Sequence, residues 1–448
     1  MTSVGIVGGG LLGMALAADL AREGYRVTIL EAAPRSGGLA APARIGEYTW
    51  DRFYHVVLLS DDYLRALLDE LGLTDRLHWR PTGTGFYIDG QLRSLSSSLE
   101  FLTFPALGLL DKARLGANII YASRIRAWRR LESVLASDWL KRWSGPRAWE
   151  RLWLPLLRAK LGDNAEAASA AFIWAIIARM YGARRTGMKR ETFGYVEGGY
   201  AAVLRRFDEH LDELGVETVF GARATRVESV AGTVRVSTPA GEREFDDVVL
   251  TVPCARIAEL CPQLTDAERG RLRAVRYQGI VCATVLLEQP LANYYITNIA
   301  DARIPFTAVI EMTALVDPSR FGGQALVYLP KYLTQQDAFW QKTNAEIETE
   351  FLTALEGMYP RFRRDQVKAF QVSRVREMLA VTTLDYSANL LPASVTTVDR
   401  VFIANSAQIA NGTLNVNETL GLAHRKAREL GSLLHGSRAA SRAQAGAA

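Results

Sequence analysis

Three glycines near the N-terminus have the residue type and spacing of a diphosphate-binding turn. They follow a short apolar run, 4–7, and precede a run of good helix formers, 14–22. In the pattern G-x-G-x-x-G the first glycine permits a tight turn, the second lets the backbone approach a diphosphate, and the third allows close packing of helix on strand. Free N–H groups at the start of the helix then attract the phosphates. The predicted contacts are Gly8, Gly10, Leu11, Leu12 and Gly13.

An acidic residue stands where such a motif needs one. Residues 25–30 form a second strand-like run, and Glu31 lies at its end, 18 residues after Gly13. A carboxylate at this place can accept hydrogen bonds from a ribose diol. The sequence therefore predicts a dinucleotide-binding strand–helix–strand unit rather than an ordinary glycine turn.

The segment that begins at Glu31 resembles one superfamily of FAD enzymes. Residues 31–39 read E-A-A-P-R-S-G-G-L, similar to the E-A-x-x-R-x-G-G-R of flavin amine oxidases, protoporphyrinogen oxidase and phytoene-type desaturases. The resemblance implies FAD, with an arginine reaching a phosphate and two glycines lying against the diphosphate and ribityl chain. Because FAD stays bound through turnover, such additional contacts hold it. The implied contacts are Glu31, Ala32, Arg35, Gly37, Gly38 and Leu39, where leucine replaces the last arginine.

Two later segments follow the order of the same superfamily. By resemblance, the backbone near Val227 pairs with the adenine. A strand-like run, 401–404, is followed by Asn405 and Ser406 in place of the usual Gly-Asp, and their side chains can bond a phosphate or ribityl oxygen. A helix that begins near Val416 and Asn417 is expected to present N–H groups to flavin N1 and O2, stabilising negative charge on reduction.

The resemblance implies an α/β fold. A Rossmann-type FAD-binding domain is expected beside a discontinuous α+β substrate domain of antiparallel sheet and helices, since residues 276–332 and 371–384 have strand character. The expected segments are 1–75, 195–265 and 397–435 for FAD binding, 76–194 for the helical and 266–396 for the sheet part of the substrate domain, and 436–448 for a disordered tail.

Candidate residues for substrate chemistry come from several segments. Residues 51–55 resemble the superfamily's D-x-G-x-H element, with Phe53 replacing the glycine, so His55 either approaches the flavin or is an ordinary packing histidine. Glu311, flanked by apolar residues, is either a buried base with a shifted pKa or an exposed strand residue. Lys331 either lies beside flavin N5, as a lysine does in some amine oxidases of the superfamily, or is a surface lysine, which we expect. Tyr54 and Tyr295 complete the predicted pocket.

Composition excludes several protein classes. The chain has 448 residues, of which 49% are apolar and 23% charged, as in a globular protein of several domain-sized units. Its three cysteines form no C-x-x-C pair, and its five histidines are scattered, so a reducing compartment and no metal site are expected. Apolar runs fall short of the roughly 18 residues of a membrane span, and no secretory signal is seen, so we expect a cytoplasmic protein.

A basic block interrupts this average composition. Residues 112–190 contain 17 Lys and Arg against 5 Asp and Glu, a net +12, which leaves −7 for the rest of a chain of net charge +5. One explanation is a solvated helical face over a tryptophan core. The other is peripheral contact of 101–160 with the inner face of an acidic membrane. Nucleic acid is not expected, because no binding module accompanies the block.

The predicted function is that of an FAD-dependent oxidoreductase, which moves a hydride between a C–H or C–N bond and flavin N5. The substrate is expected to be hydrophobic (isoprenoid, lipid or porphyrin-like), with an amine as the alternative. No second G-x-G-x-x-G lies in a strand–helix context, so a dedicated NAD(P)H domain is not expected, and oxygen, a quinone or a transient nicotinamide remains open as redox partner. A non-redox flavoenzyme like UDP-galactopyranose mutase and an inactive FAD-bound scaffold are the alternatives, and the oligomeric state is left open.

Overall fold

The strands and helices confirm the predicted alternation near the N-terminus and the predicted antiparallel sheet farther along. The computed structural model describes residues 1–96, 98–182, 191–410 and 414–445. Its strands are β1 (Ser3–Val7), β2 (Arg26–Leu30), β3 (Pro42–Ile45), β4 (Tyr48–Asp51), β5 (Leu77–Thr82), β6 (Thr84–Ile88), β7 (Gln91–Ser94), β8 (Glu191–Val196), β9 (Glu217–Val219), β10 (Arg226–Val230), β11 (Thr233–Thr238), β12 (Gly241–Phe245), β13 (Asp247–Leu250), β14 (Tyr277–Leu287), β15 (Ile296–Ile299), β16 (Ala308–Glu311), β17 (Ala325–Leu333), β18 (Val367–Ala380) and β19 (Val401–Ile403).

The helices surround these sheets. They are α1 (Leu11–Arg22), α2 (Asp62–Glu70), α3 (Ser98–Thr103), α4 (Leu109–Arg124), α5 (Ala136–Ser144), α6 (Pro146–Ala148), α7 (Leu154–Leu161), α8 (Ala170–Gly182), α9 (Gly199–Glu213), α10 (Cys254–Leu260), α11 (Asp266–Ala274), α12 (Asn344–Met358), α13 (Tyr386–Asn389) and α14 (Val416–Ala445). None of the helices described combines the length and apolar character that a membrane-spanning segment needs.

A five-stranded parallel sheet carries the glycine motif. Its order is β19–β13–β1–β2–β9, and each neighbouring pair runs parallel. One face packs on α1, α2, α9 and α14, and the other packs on α10 and the antiparallel sheet β10–β11–β12. Both faces are covered, which explains why β1 and β13 are buried along their whole length and mostly apolar. This is the predicted Rossmann-type architecture.

A seven-stranded, mainly antiparallel sheet forms the second layer. Its order is β18–β14–β17–β16–β15–β6–β7, in which only the β15–β6 pair is parallel. Alternate residues of β17 point to opposite faces: Val327 and Leu329 pack toward α12, whereas Leu326 and Tyr328 pack toward β3 and β4. The face toward β3 and β4 is called the inner face below.

The dipeptide Asp89-Gly90, which is typical of two-residue hairpin turns, joins β6 to β7. Strands β6 and β7 pair antiparallel across these two residues, whose φ angles are 53° and 75°. Positive φ at both central positions is what a two-residue hairpin turn with the twist of its strands requires.

The C-terminus differs from the expected disordered tail. Helix α14 runs on to Ala445, so 436–445 is helical, and 446–448 lie outside the described residues. Four alanines within 436–445 explain this difference, because alanine has the highest intrinsic helix propensity.

Candidate flavin site and active site

The three motif glycines have three different environments, as predicted. Gly8 has φ +117°, which disfavours any side chain, and a Cβ on Gly13 would lie 2.0 Å from the carbonyl oxygen of Gly8. Gly10 instead has an ordinary extended backbone, and a Cβ there would find no protein atom nearer than Gly38 Cα at 3.9 Å. Neither strain nor protein packing requires glycine at position 10, so the space beside it fits a bound diphosphate.

A second glycine loop forms the opposite wall of this crevice. The Gly37 N–H donates to Gly9 O at 2.8 Å, and both Gly37 and Gly38 have positive φ. Arg35 lies exposed on the same loop and makes no hydrogen bond or ion pair with the described residues, so it is available to a phosphate. Leu39 packs instead against the cluster that contains Trp50.

Glu31 fixes the two loops to each other. Its carboxylate accepts hydrogen bonds from Gly9 N–H at 2.6 Å and from Ala33 N–H at 2.7 Å. Each oxygen keeps a further lone pair. Its contact with a ribose, like that of exposed Ala32, stays a prediction.

The end of β9 and the residues just after it lie beside Glu31. The predicted adenine contact was placed farther along the chain, near Val227. Ala222 N–H donates to Glu31 O at 2.8 Å, and Gly221 N–H donates to Ala33 O at 3.1 Å. Val227 is fully buried in β10, where it is paired with Val236. The adenine contact predicted near Val227 stays a prediction, and 219–222 is the stretch that contacts the motif.

Asn405 does not present its side chain as predicted. Its amide Nδ2 donates to Val252 O at 3.1 Å and to Cys254 Sγ at 3.4 Å, and its Oδ1 accepts from Ala407 N–H at 3.1 Å. Both amide protons are thus used inside the protein, so the prediction that this amide binds a phosphate is wrong. Ser406 is half-buried, and its contact with a phosphate or ribityl oxygen stays a prediction.

The start of α14 is built by two asparagines. Asn415 Oδ1 accepts from Glu418 N–H at 3.0 Å and caps α14. Asn417 Oδ1 accepts from Tyr63 N–H and Leu64 N–H at 2.9 and 3.2 Å, so it holds the first turn of α2 against α14. The backbone N–H groups of Val416 and Asn417 form the positive end of the helix dipole, as their predicted flavin role requires.

Several buried polar atoms around one cavity have no hydrogen-bond partner. Trp50, His55 and Tyr200 line it, and the His55 and Tyr200 rings lie 4.7 Å apart. Of the residues that line it, Trp50 Nε1, His55 Nδ1 and Tyr200 OH are buried without a hydrogen-bond partner among the described residues, and the charge of Arg179, whose Nε also lacks a partner, acts on Tyr200. Unsatisfied buried polar atoms are costly, so these atoms require a polar partner from outside the described chain. The cavity has a volume of about 10 Å³, which gives room for about one water-sized group.

Asp51 connects the elements of the cavity. Its Oδ1 accepts from Tyr200 N–H at 2.7 Å, and its backbone carbonyl accepts from Tyr328 OH at 2.6 Å. A Cβ on Gly199 would lie 2.7 Å from the same Oδ1, so the glycine allows this approach. His55 Nδ1 is 3.8 Å from Asp51 Oδ2, beyond hydrogen-bond distance. Among the acid–base candidates predicted, His55 is the one placed in the cavity.

Neither Glu311 nor Lys331 faces the cavity, because both lie on the α12 side of the seven-stranded sheet. Glu311 is 2% exposed and accepts hydrogen bonds from Leu291 N–H and Ala292 N–H. It is therefore neither an exposed residue nor a base facing the cavity, although burial raises its pKa. Lys331 Nζ donates to Pro305 O at 2.8 Å and lies 4.9 Å from the Phe339 ring centre.

The inner face of the sheet carries phenols instead. Tyr54 OH and Tyr332 OH lie 2.6 Å apart, and Tyr295 packs on Phe193 at 5.1 Å. Burial raises the pKa of Tyr54, Tyr295 and Tyr328 well above the ordinary value, so these phenols stay neutral. Tyr328 and Tyr332 were not predicted; their even spacing in a strand was the available clue, because residues i and i+4 share a face.

Arg52 is a second residue that the sequence did not single out. Its Nη2 donates to Gly38 O at 3.0 Å, and it has no acidic partner among the described residues. Burial lowers its pKa, as expected of a cation without an acidic partner. Arg52 thus places positive charge at the wall of the glycine crevice.

Comparison with known proteins agrees with this geometry. Residues 13–430 match the family of flavin containing amine oxidoreductases. A coproporphyrinogen III oxidase of Mycobacterium bovis is 27% identical over 295 residues, which are 60% of this chain and 63% of that protein. A candidate flavin-containing monoamine oxidase, AofH, of Mycobacterium tuberculosis is 23% identical over 264 residues, 56% of each chain. The chain thus spans about three-fifths of the length of these curated relatives.

Solved structures show the same fold. A candidate protoporphyrinogen oxidase of Exiguobacterium sp. 255-15 has a TM-score of 0.75 at 18% identity and covers 96% of this chain and 98% of its own. Putrescine oxidase bound to putrescine gives 0.73 at 17% identity, over 96% and 99%. Reduced UDP-galactopyranose mutase gives 0.73 at 12% identity, over 97% and 96%. The family match over residues 13–430 shows that the chain belongs to the flavin-containing amine oxidoreductase family, with FAD as cofactor.

Proposed function

We propose that the protein is an FAD-dependent oxidoreductase that moves a hydride between a C–H bond of a hydrophobic, uncharged or acidic substrate and the flavin. The neighbourhood of the glycine crevice and buried polar groups carries this proposal: Arg52 donates to Gly38 O of the crevice at 3.0 Å, and the adjacent Asp51 and His55 line the cavity. When bound, FAD supplies the hydride acceptor or donor at its N5 atom.

The protein's own part is to position the substrate and exclude water. Neutral phenols and apolar side chains of the inner face, among them Tyr295, Tyr328, Ile310 and Met312, form a wall that desolvates an apolar substrate. The N–H groups at the start of α14 favour negative charge near them. When a C–H bond gives up its hydride, the cation that remains releases a proton from an adjacent N–H or C–H bond, and because that proton is acidic, water or a weak base can take it and no strong base is required.

The charges around the cavity are balanced. Asp51 accepts from Tyr200 N–H, and Asp61 accepts from Arg179 Nη2, 3.1 Å from Oδ2, and from Leu58 N–H at 2.9 Å. Arg52 and Arg179 offset the two carboxylates, so these charges by themselves favour neither a protonated amine nor a carboxylate. The likeness to a coproporphyrinogen III oxidase supports an acidic tetrapyrrole or lipid as the first candidate.

Anaerobic reduction of the flavin tests this proposal. Purified protein should be yellow and should bleach with a hydrophobic acid, such as coproporphyrinogen III or an isoprenoid carboxylic acid, but not with putrescine or benzylamine. Bleaching by the amines alone would contradict the substrate class. Turnover that needs added dithionite, with no net oxidation, would favour a mutase-like reaction, and bound flavin without turnover would favour a scaffold.

A further inference from the structure

Helix α4 buries two polar side chains and exposes several apolar ones, which is unusual for a surface helix. Two polar side chains point inward: Lys112 donates to Leu102 O at 2.7 Å, and Asn118, 1% exposed, donates to Ser144 Oγ at 2.9 Å. The exposed positions, three or four residues apart, are mostly apolar: Leu110, Ala113, Ala117, Ile120 and Tyr121. A surface helix normally turns its apolar stripe to the core, so this stripe requires another explanation.

The stripe belongs to a larger apolar face. Leu109 and Leu110 at the start of α4 are 76% and 72% exposed. Tyr121 and Trp143 stack with ring centres 4.3 Å apart and are both exposed. The residues of this apolar face are Leu102, Leu109, Leu110, Ile120, Tyr121 and Trp143. A group of exposed apolar side chains on one face often marks an interaction surface in folded proteins.

Arginines border the apolar face. Arg114 donates to Arg142 O at 3.2 Å, and the Arg142 guanidinium lies 5.9 Å from the Trp143 ring centre. Arg124 is exposed at the last turn of the helix. The acid of helix α4, Asp111, is 19% exposed, accepts from Gly108 N–H at 3.2 Å and lies 4.0 Å from Arg147 Nε. The border of the face is therefore cationic and complements an anionic partner.

We propose that the apolar face docks on the surface of an acidic phospholipid bilayer. Helix α4, with 16 residues about 24 Å long, would lie along the membrane plane. Its leucines enter the acyl boundary, Tyr121 and Trp143 lie at the headgroup level, and the arginines contact lipid phosphates. This inference goes beyond the proposed function and does not depend on which substrate the flavin oxidises.

Co-sedimentation of the full-length, FAD-loaded protein with vesicles tests the inference. Wild-type protein should bind vesicles of phosphatidylcholine mixed with phosphatidylglycerol, bind phosphatidylcholine alone weakly, and dissociate at high salt. The double variant Leu109→Glu, Leu110→Glu should lose about tenfold or more in affinity, because both side chains leave the acyl boundary. Arg124→Gln should weaken binding only to the acidic vesicles.

Controls separate this surface from general effects. Leu433→Glu changes another exposed leucine, 39% exposed on α14, and should bind vesicles as wild type does. Flavin content and melting temperature should be unchanged in the α4 variants. The inference is overturned if wild type does not bind acidic vesicles at low salt, or if the double variant binds equally well. A wild-type dimer that the double variant converts to monomers, without vesicle binding, would identify the face as a contact between copies of this chain.

Discussion

At the scale of single residues, the glycines of the crevice lack a side chain for different physical reasons. Gly8 and Gly13 are glycines because of backbone conformation and packing. Gly10 is neither strained nor crowded by protein, so its lack of a side chain serves something outside the chain. Glu31, which ties both loops together, explains why the crevice keeps its shape.

Gly10→Val is expected to abolish FAD binding without unfolding the protein. Valine fits the backbone at φ −73°, but its methyl groups would occupy the space for the diphosphate. The flavin-to-protein absorbance ratio should fall about tenfold or more. Gly270→Val in α11, where a Cβ meets no atom within 4 Å, should keep its flavin. A folded Gly10→Val protein with normal flavin content would contradict this role.

Asp247 makes stability depend on pH. Its carboxylate oxygens are buried without hydrogen bonds, and the nearest cation is Arg400 Nη1 at 3.8 Å. Burial raises the Asp247 pKa to about 6, above its unfolded value of about 3.9. The stability that this group contributes is therefore fully present below about pH 4 and lost as pH rises through about 6.

Asp247→Asn should thus be more stable than wild type at pH 8, by about 1–2 kcal/mol, and nearly equal to it near pH 4. Denaturant unfolding at both pH values measures this difference. Asp399→Asn, an exposed neighbour 3.8 Å from the same arginine, should change stability by less than about 0.5 kcal/mol. A less stable Asp247→Asn at pH 8 would show that the charge is stabilising.

At the scale of elements, the two faces of one sheet have separate duties. The inner face of β14, β16 and β17 presents phenols and apolar groups toward β3 and β4, and the other face packs on α12. Glu311 and Lys331 belong to the α12 side. Their polar atoms bind backbone groups there, so they support the sheet rather than the reaction.

Glu311→Gln should therefore lower stability and leave catalysis intact. The carboxylate accepts two backbone N–H bonds, whereas one end of the amide of glutamine can only donate, so we expect a loss of about 1–3 kcal/mol in unfolding free energy. Flavin content and the kcat of the folded variant should match wild type. Lys331→Met, on the same side of the sheet, should likewise keep its kcat. A large loss of kcat in either variant at normal stability would show that the residue takes part in catalysis.

At the scale of the whole molecule, three distant stretches of chain build the flavin-binding unit. The parallel sheet takes strands from 3–30, 217–250 and 401–403, and α14 packs back on α1. The cavity lies where this unit meets the second layer, since it is lined by Tyr200, which packs in the core of the parallel sheet, and by Met312, which packs in the cluster of the inner face. Cofactor binding and overall stability should consequently be coupled.

Truncation tests this coupling. Removal of 436–448 should leave flavin content and melting temperature unchanged, because the leucines of α14 that are buried in the core end at Leu434. Removal of 414–448 deletes Leu420, Leu430 and Leu434, each worth about 2–5 kcal/mol, and should yield insoluble or flavin-free protein. Soluble, yellow protein from the longer deletion would contradict the three-segment unit.

The sequence by itself determined the parts that neighbouring residues encode. The glycine turn, the acid after β2 and the hairpin at Asp89-Gly90 follow from local conformation, which needs no knowledge of distant residues, whereas the parallel sheet was implied by the resemblance to a known superfamily. Only the tertiary structure decided which face of a strand meets the cavity, because alternation of period two is the same for both faces. It likewise decided that Asn405 binds Val252, 153 positions earlier, and that the unpartnered polar atoms of β4, α8 and α9 meet in one region.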